Sequence, residues 1–133
     1  MIVFYLEPDS GVPAYLQLVR QVEHAIRLGR LSAGDQLPSV RDVVAVLGIN
    51  PNTVAKAYRE MESRHLVDTR QGRGTFVADL ATAAAGPAVI PAGLARDLAD
   101  WITRARAAGL DRDDAAAVFE QELHAAYRNE GIA

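Results

Sequence analysis

The sequence predicts a mostly α-helical chain with one small β-hairpin, followed by a shorter helical segment. Three observations predict this arrangement. Apolar residues recur at spacings of three and four along much of the chain, which is the period of an amphipathic helix. Two short alternating runs flank a loop with two glycines at positions 72 and 74, which is typical of a hairpin. A stretch rich in alanine, glycine and proline then separates the first 79 residues from the remainder.

The first helix is predicted over residues 14–28. Pro13 precedes it at a position where proline costs no hydrogen bond, and Gly29 follows it as a stop signal. Residues 32–37 are predicted to form a turn and a short strand. The helix should bury one apolar stripe, made of Tyr15, Leu16, Val19, Val22 and Ile26.

Two short helices that meet at a tight turn are predicted next. Ser39 is a candidate N-cap with Asp42 three residues later, and this helix should end near residues 47–48. Asn50 as N-cap and Pro51 at the first helical position begin the following helix, which should run to about residue 64. Its predicted inward stripe is Val54, Ala57, Tyr58 and Met61.

The hairpin and the C-terminal segment complete the predicted elements. Strands are expected over 65–70 and 75–78, around the loop 71–74. We predict a first domain over residues 1–79, a linker over 80–93 and two further helices over 94–129. Asp111 and Asp114 have the spacing of a cap for the last helix.

Composition limits the classes of function. With 133 residues, half of them hydrophobic, the chain can bury one compact core and a small extension. It has no cysteine, and no apolar run reaches the roughly 18 residues that a membrane span needs. Its three histidines lack the spacing of a helical metal site. We therefore expect a soluble cytoplasmic protein with no metal and no other cofactor.

The net charge of −3 is unevenly distributed. Residues 1–79 carry nine basic and nine acidic side chains, whereas residues 80–133 carry five basic and eight acidic ones. Residues 39–75 have a net charge of +2, so the positive bias lies on the two short helices and the hairpin. Because so small a charge gives few phosphate contacts, a dimer that doubles them is expected.

The two short helices fit the needs of duplex DNA recognition. An α-helix fits the major groove when a preceding helix braces it, with its N-terminal residues at the base edges. Gly48 permits the sharp turn, and Asn52 and Thr53 should place short polar side chains and free backbone amides at the helix tip. Arg41 on the preceding helix and Lys56 one turn along can reach phosphate or base edges.

The hairpin tip is a second candidate contact. Arg73 lies between Gly72 and Gly74, so the backbone there can approach a sugar–phosphate ridge closely. Its guanidinium is then able to enter the minor groove. Together these elements describe a winged helix-turn-helix.

Residues 13–78 resemble the winged helix-turn-helix domain of the GntR family of bacterial transcription regulators. The shared runs, in the family's order, are Leu37-Pro-Ser-x-Arg41, Leu47-Gly48, Asn50-x-Asn-Thr-Val54, Ala57-Tyr58 and Gly72-x-Gly-Thr-Phe76. The two helices after the linker resemble those of the YtrA subfamily, in which a short helical tail serves dimerisation in place of a large effector-binding domain.

This resemblance implies a homodimeric transcription factor, most often a repressor, that controls genes such as those of a transporter operon. It implies DNA contacts from Arg41, Asn52, Thr53, Lys56 and Arg73, with Tyr58 supporting the helix or touching phosphate. Other branches of the family have arginines where this chain has Pro51 and Ala55, so their base-reading residues do not transfer and the operator sequence stays open. An inverted-repeat operator follows from two-fold symmetry.

The dimer interface is expected on the two C-terminal helices. Their apolar residues recur at helical spacing, and each large side chain would contribute about 1.5 to 3 kcal/mol if fully buried. The expected interface residues are Leu94, Leu98, Trp101, Ile102, Phe119 and Leu123.

Other readings of the chain remain open at this point. The fold also supports protein-interaction adaptors without specific DNA readout, with the acidic tail as docking surface. A small-molecule effector in a dimer cleft is a further possibility, although the short tail leaves little room for a pocket. An enzyme is not expected. The aminotransferase-like members of the family need a lysine to form a Schiff base with their cofactor, but the only lysine here, Lys56, lies in the helix that begins after Asn50. No nucleophile motif or phosphate loop is evident.

Overall fold

The computed structural model describes residues 2–79, 81 and 90–128. These residues form five α-helices and a two-stranded antiparallel hairpin, which confirms the predicted mostly helical fold with a wing. In chain order the elements are α1 (Ala14–Arg27), α2 (Val40–Leu47), α3 (Pro51–Ser63), β1 (Val67–Arg70), β2 (Gly74–Val77), α4 (Ala92–Ala107) and α5 (Arg112–Ala126). The chain divides into two compact units, Met1–Val89 and Ile90–Ala133.

The core of the first unit forms where α1 and α2 pack against α3. The inward stripe predicted for α3 is confirmed, because all four of its residues are buried. Along α1 the stripe is deepest in the middle, whereas Tyr15 and Leu16 near its start are only partly buried. The largest fully buried side chains are Leu18, Val19, Val22, Ile26, Leu37, Val54, Met61, Val67 and Val77.

Gln17 joins the segment before α1 to the helix itself. Its side-chain Nε2 donates to the carbonyl oxygens of Glu7 at 3.0 Å and Val12 at 2.9 Å. Its Oε1 accepts the backbone N–H of Glu7 at 2.8 Å. Gln17 is buried, and an unpaired amide there would cost about 1 to 3 kcal/mol. Its Nε2 also donates to Ser10 Oγ at 3.1 Å, so hydrogen bonds satisfy this polar side chain on its buried face.

Reciprocal side-chain caps begin α2 and α5, as predicted. Asp42 N–H donates to Ser39 Oγ at 3.0 Å, and Ser39 N–H donates back to Asp42 Oδ2 at 3.4 Å. The same reciprocal pair begins α5, where Asp114 N–H donates to Asp111 Oδ1 at 2.8 Å. Each cap satisfies amides that a helix start leaves without a partner.

The first strand of the wing begins later than the sequence predicts. Strand β1 begins at Val67 and not at residue 65, because the chain is still closing the end of α3. His65 adopts a left-handed φ of 61°, and Leu66 N–H donates to the carbonyl of Met61 at 2.9 Å. Helices commonly end in this way, with a residue in the left-handed region just after the last turn.

The segment before α2 pairs with the wing. Leu37 N–H donates to Thr75 O and Val77 N–H donates to Asp35 O, both at 2.8 Å. A bridge joins Gln36 to Phe76, so the short strand predicted within residues 32–37 is a single bridge flanked by backbone bonds. The wing thus has a third backbone segment beside β2.

The second unit contains α4 and α5. Helix α4 begins at Ala92, and Gly109 with a φ of 93° follows its end while Leu110 N–H donates to Ala105 O at 3.0 Å. Within residues 90–128 only Ala105 is buried. Most of the predicted linker, at positions 80 and 82–89, and the end of the predicted last segment, at residue 129, lie outside the described residues.

Candidate nucleic-acid interface

The start of α3 is exposed and presents polar side chains. Asn52 is exposed, Thr53 is partly exposed, and Lys56 follows one turn later on the same side of the helix. Gly48 makes the turn before α3 with a left-handed φ of 66°, and its N–H donates to Val44 O at 2.8 Å. These features match the helix tip that the sequence predicts.

The expectation of free backbone amides at this tip is wrong. Asn52 N–H donates to the side-chain Oδ1 of Asn50 at 2.8 Å, and Thr53 N–H donates to the Asn50 carbonyl at 3.0 Å. These amides lie in the first turn of the helix, so the side chain and the backbone carbonyl of the N-cap residue Asn50 accept them. Side chains, and not amides, are therefore what this tip offers to a ligand.

Arg41 lies in the first turn of α2 and is exposed. The described residues form ion pairs only through Arg64, which contacts Glu23 at 2.6 Å and Glu60 at 3.0 Å. Arg41 is therefore outside the ion pairs of the described part of the chain. The Arg41 guanidinium therefore breaks none of these ion pairs when it contacts phosphate.

Lys56 lies against an aromatic ring of α1. Its ammonium nitrogen is 4.1 Å from the centre of the Tyr15 ring, within the range of a cation–π contact. Such contacts contribute about 0.5 to 1 kcal/mol at exposed sites. Sequence reasoning assigned Tyr15 to the apolar stripe and missed this second role.

Tyr58 supports α3 from behind. It is buried, and its hydroxyl donates to the carbonyl of Pro38, just before α2. Burial raises the pKa of the Tyr58 phenol above its ordinary value, and the nearby Asp42 carboxylate raises it further. Of the two roles that the sequence left open for Tyr58, its geometry suits the supporting one.

The wing tip is exposed and is formed by residues 71–73. Gly72 has a φ of 75° and Gly74 a φ of 124°, which are conformations that other residues rarely adopt. Arg73 N–H closes the turn by donating to Arg70 O at 2.9 Å. The Arg70 guanidinium lies 4.5 Å from the centre of the Phe76 ring, so it packs against the wing, whereas Arg73 is exposed at the tip.

Gln36 contacts this tip from the segment before α2. Its side-chain Nε2 donates to the Arg73 carbonyl at 3.1 Å. The same nitrogen would lie 2.7 Å from a Cβ built on Gly74, so the amide lies directly against the glycine. Sequence analysis missed Gln36, because no spacing rule relates residues that are 37 positions apart.

The apolar residues predicted for a dimer interface are exposed in the single chain. Leu94 is 60% exposed, and Leu98, Ile102, Phe119 and Leu123 are each between 40% and 44% exposed, while Trp101 is partly buried. Val118 and Tyr127 are also exposed. Large apolar side chains repeated at helical spacing on two successive helices are typical of a surface that another protein covers.

The described residues also bear on the other classes of site. Within residues 2–79, 81 and 90–128, no group of three or more histidine, aspartate or glutamate side chains is arranged to hold a metal ion. None of the helices in that part of the chain combines the length and the apolar content of a bilayer span.

Comparisons with known proteins identify the first unit. Residues 14–77 match the family model described as bacterial regulatory proteins, gntR family. The repressor YtrA of Bacillus subtilis (strain 168) is 40% identical over 74 residues, which are 56% of this chain and 57% of YtrA. The transcriptional regulator Rv1152 of Mycobacterium tuberculosis is 40% identical over 115 residues, 83% of this chain and 85% of Rv1152.

Solved structures agree with this assignment. A transcriptional regulator from Oenococcus oeni is 33% identical, with a TM-score of 0.53 over 92% of this chain and 97% of its own. The DNA-binding domain of AraR in complex with operator ORX1 is 28% identical, with a TM-score of 0.50 over 59% of this chain and 96% of its own. The chain belongs to the GntR family of bacterial regulatory proteins, and residues 14–77 are its winged helix-turn-helix DNA-binding domain.

Proposed function

We propose that the protein is a homodimeric, sequence-specific transcriptional repressor that binds an inverted-repeat operator. One observation carries the DNA contact. The tip of α3 and the tip of the wing are both exposed within one compact unit, and both present polar or cationic side chains. The operator-bound domain of AraR has a similar fold, which supports the use of this unit for duplex binding.

Each proposed contact has a separate role. Asn52 and Thr53 read base edges in the major groove, and Lys56 and Arg41 bind phosphate beside them. Arg73 enters the minor groove, with the glycines at 72 and 74 allowing the backbone to approach. Tyr58 holds α3 in place and does not contact DNA. Because this set supplies three cationic side chains per chain, pairing two chains doubles the contacts with phosphate.

The proposed dimer is formed by the exposed apolar residues of α4 and α5. Burying them between two chains removes apolar surface that α4 and α5 leave open. A two-fold axis then presents two α3 tips to successive major grooves, about 34 to 36 Å apart or at a multiple of that distance. The operator is consequently an inverted repeat. A bound dimer acts in the cytoplasm and represses by occupying a promoter. By family resemblance, this promoter is that of a transporter operon.

Selection of duplexes from a random pool tests this function. The full-length protein is incubated with the pool at two salt concentrations, and bound duplexes are sequenced. We expect an enriched inverted repeat with half-sites one turn or two turns apart, and affinity that falls steeply as salt rises. Bound sequences without a consensus, held weakly at both salt concentrations, would instead indicate the protein-interaction adaptor.

A further inference from the structure

We infer that Gln36 is a positioning residue that fixes the wing tip, and with it Arg73, relative to the recognition helix α3. This inference rests on the proposed contact of Arg73 with DNA. Gln36 itself need not touch the duplex, because its exposed side-chain amide already donates a hydrogen bond to the wing tip.

The hydrogen bond from Gln36 restrains the backbone at the wing tip. Within the hairpin, the tip of three residues is closed by the antiparallel pairing of Arg70 with Gly74 and by the backbone bond from Arg73 N–H to Arg70 O at 2.9 Å. The Gln36 Nε2 donates to the carbonyl of Arg73 itself, at 3.1 Å. The peptide that carries the Arg73 side chain is therefore held from outside the hairpin.

The Gln36 amide packs directly against Gly74. The φ of 124° at Gly74 is open only to glycine without strain, and any Cβ there would lie 2.7 Å from the Gln36 nitrogen. A side chain at this position would displace the amide from the Arg73 carbonyl. Gly74, which follows the tip, thus serves the hydrogen bond from Gln36 as well as the approach to DNA.

The short segment that contains Gln36 contacts both the wing and α3. The Gln36 backbone bridges to Phe76 of β2, and Leu37 N–H donates to Thr75 O at 2.8 Å. Two residues after Gln36, the carbonyl of Pro38 accepts the hydroxyl of Tyr58 on α3. Two side-chain hydrogen bonds on one short segment therefore join the wing tip to the recognition helix.

The consequence concerns how DNA is bound. A tip that is already oriented loses less conformational freedom when its arginine enters a groove, and this raises affinity without any new contact. Removing the Gln36 bond should weaken binding only through Arg73. This is a readout that a general loss of stability would not give.

A double-mutant cycle in the full-length protein tests the inference. The variants are Gln36→Met, Arg73→Ala and the double variant, with Gln21→Met as matched control, because Gln21 bonds the Tyr5 backbone away from the wing. The probe is the duplex enriched from the random pool. We expect Gln36→Met to weaken binding about 3- to 10-fold, which corresponds to one hydrogen bond, and to have no effect when Arg73 is already alanine.

The outcomes separate this inference from the proposed function. Unchanged affinity in Gln36→Met together with weakened binding in Arg73→Ala overturns the inference and leaves the arginine contact standing. An equal effect of Gln36→Met with and without Arg73 also overturns it, since Gln36 would then act elsewhere. Unchanged affinity in Arg73→Ala removes the proposed wing contact, and the inference falls with it.

Hydrogen exchange in the DNA-free protein gives an independent readout. In Gln36→Met, we expect the amide of Arg73 to exchange at least about 5-fold faster, while amides of α1 and α3 keep their rates. Equal exchange at Arg73 in the variant and the parent protein contradicts the restraint. Faster exchange throughout the domain would show that Gln36 stabilises the whole fold and would overturn a specific role at the tip.

Discussion

The ammonium of Lys56 on α3 lies 4.1 Å from the centre of the Tyr15 ring on α1. Lys56 is the only lysine of the chain, and it lies on the side of α3 that also carries Asn52. The ring limits the rotamers of a long flexible side chain, so the positive charge is held beside the helix tip. Tyr15 thereby connects the core helix α1 with the proposed phosphate contact.

Tyr15→Leu should weaken operator binding by about 2- to 5-fold, since an exposed cation–π contact contributes about 0.5 to 1 kcal/mol. Leucine keeps the apolar contact of the ring but not its attraction for the ammonium. Reductive ¹³C-methylation labels one lysine in this chain and the terminal amine. The lysine signal should be shifted by the ring in the parent protein, and this shift should vanish in Tyr15→Leu. An unshifted signal in the parent protein would contradict the contact.

Arg41→Ala should weaken binding to the operator by about 10-fold and lower the dependence of log K on log salt by about one unit, as expected for a lost phosphate contact. The dimer should be unaffected, because Arg41 lies in the first unit. Arg27→Ala is the matched control, since Arg27 is an exposed arginine in a groove beside Arg64 at the end of α3. Equal losses in the two variants would mean that overall charge, and not the position of Arg41, governs binding.

Phe119→Asp should convert the dimer to a monomer in sedimentation and abolish operator binding at the same time. A charge buried in an apolar interface without a partner is strongly unfavourable, so the chains should separate. Trp101→Ala should act in the same direction through lost apolar contact. Ala117→Asp adds the same charge about 200° around α5 and should leave the dimer intact. A tight dimer in Phe119→Asp would place the interface elsewhere.

Tyr58→Phe should destabilise the domain by about 1 to 2 kcal/mol at pH 8, because the carbonyl of Pro38 loses its partner. The pKa of Tyr58 is raised in the folded state by burial and by Asp42. The stabilisation it contributes is therefore complete below about pH 10, where an unfolded tyrosine titrates, and declines as pH rises above that value. Urea unfolding at pH 8.5 and 10.5 should show a larger loss for the parent protein than for Tyr58→Phe. Equal losses would contradict a protected phenol.

The sequence predicted the elements whose causes are local. The caps at Ser39 and Asp111 depend on residues three positions away, and the buried stripe of α3 depends on a period of 3.6 residues. The capping of Asn52 N–H by Asn50 was also within reach, because an N-cap side chain accepts an amide two or three residues later. The prediction of free amides at the tip of α3 was wrong because the Asn50 side chain and carbonyl accept them.

The relationships that the sequence could not predict are long-range. Gln36 and Arg73 are 37 positions apart, and their bond exists only because the segment before α2 pairs with β2. The contact of Tyr15 with Lys56 likewise requires α1 to cross α3 near both residues. No period or motif encodes such meetings, since tertiary packing alone brings the side chains together.

The central claim is that the tip of α3 and the tip of the wing face the same duplex, and affinity cleavage tests it most directly. Because the chain has no cysteine, Ala55→Cys on α3, Gln71→Cys on the wing and Arg27→Cys on α1 can each carry a single iron chelate. We predict cleavage of the selected duplex at paired positions symmetric about its centre from the first two sites, and none from Arg27→Cys. Cleavage from Arg27→Cys alone, or uniform cleavage along the duplex, would contradict the account.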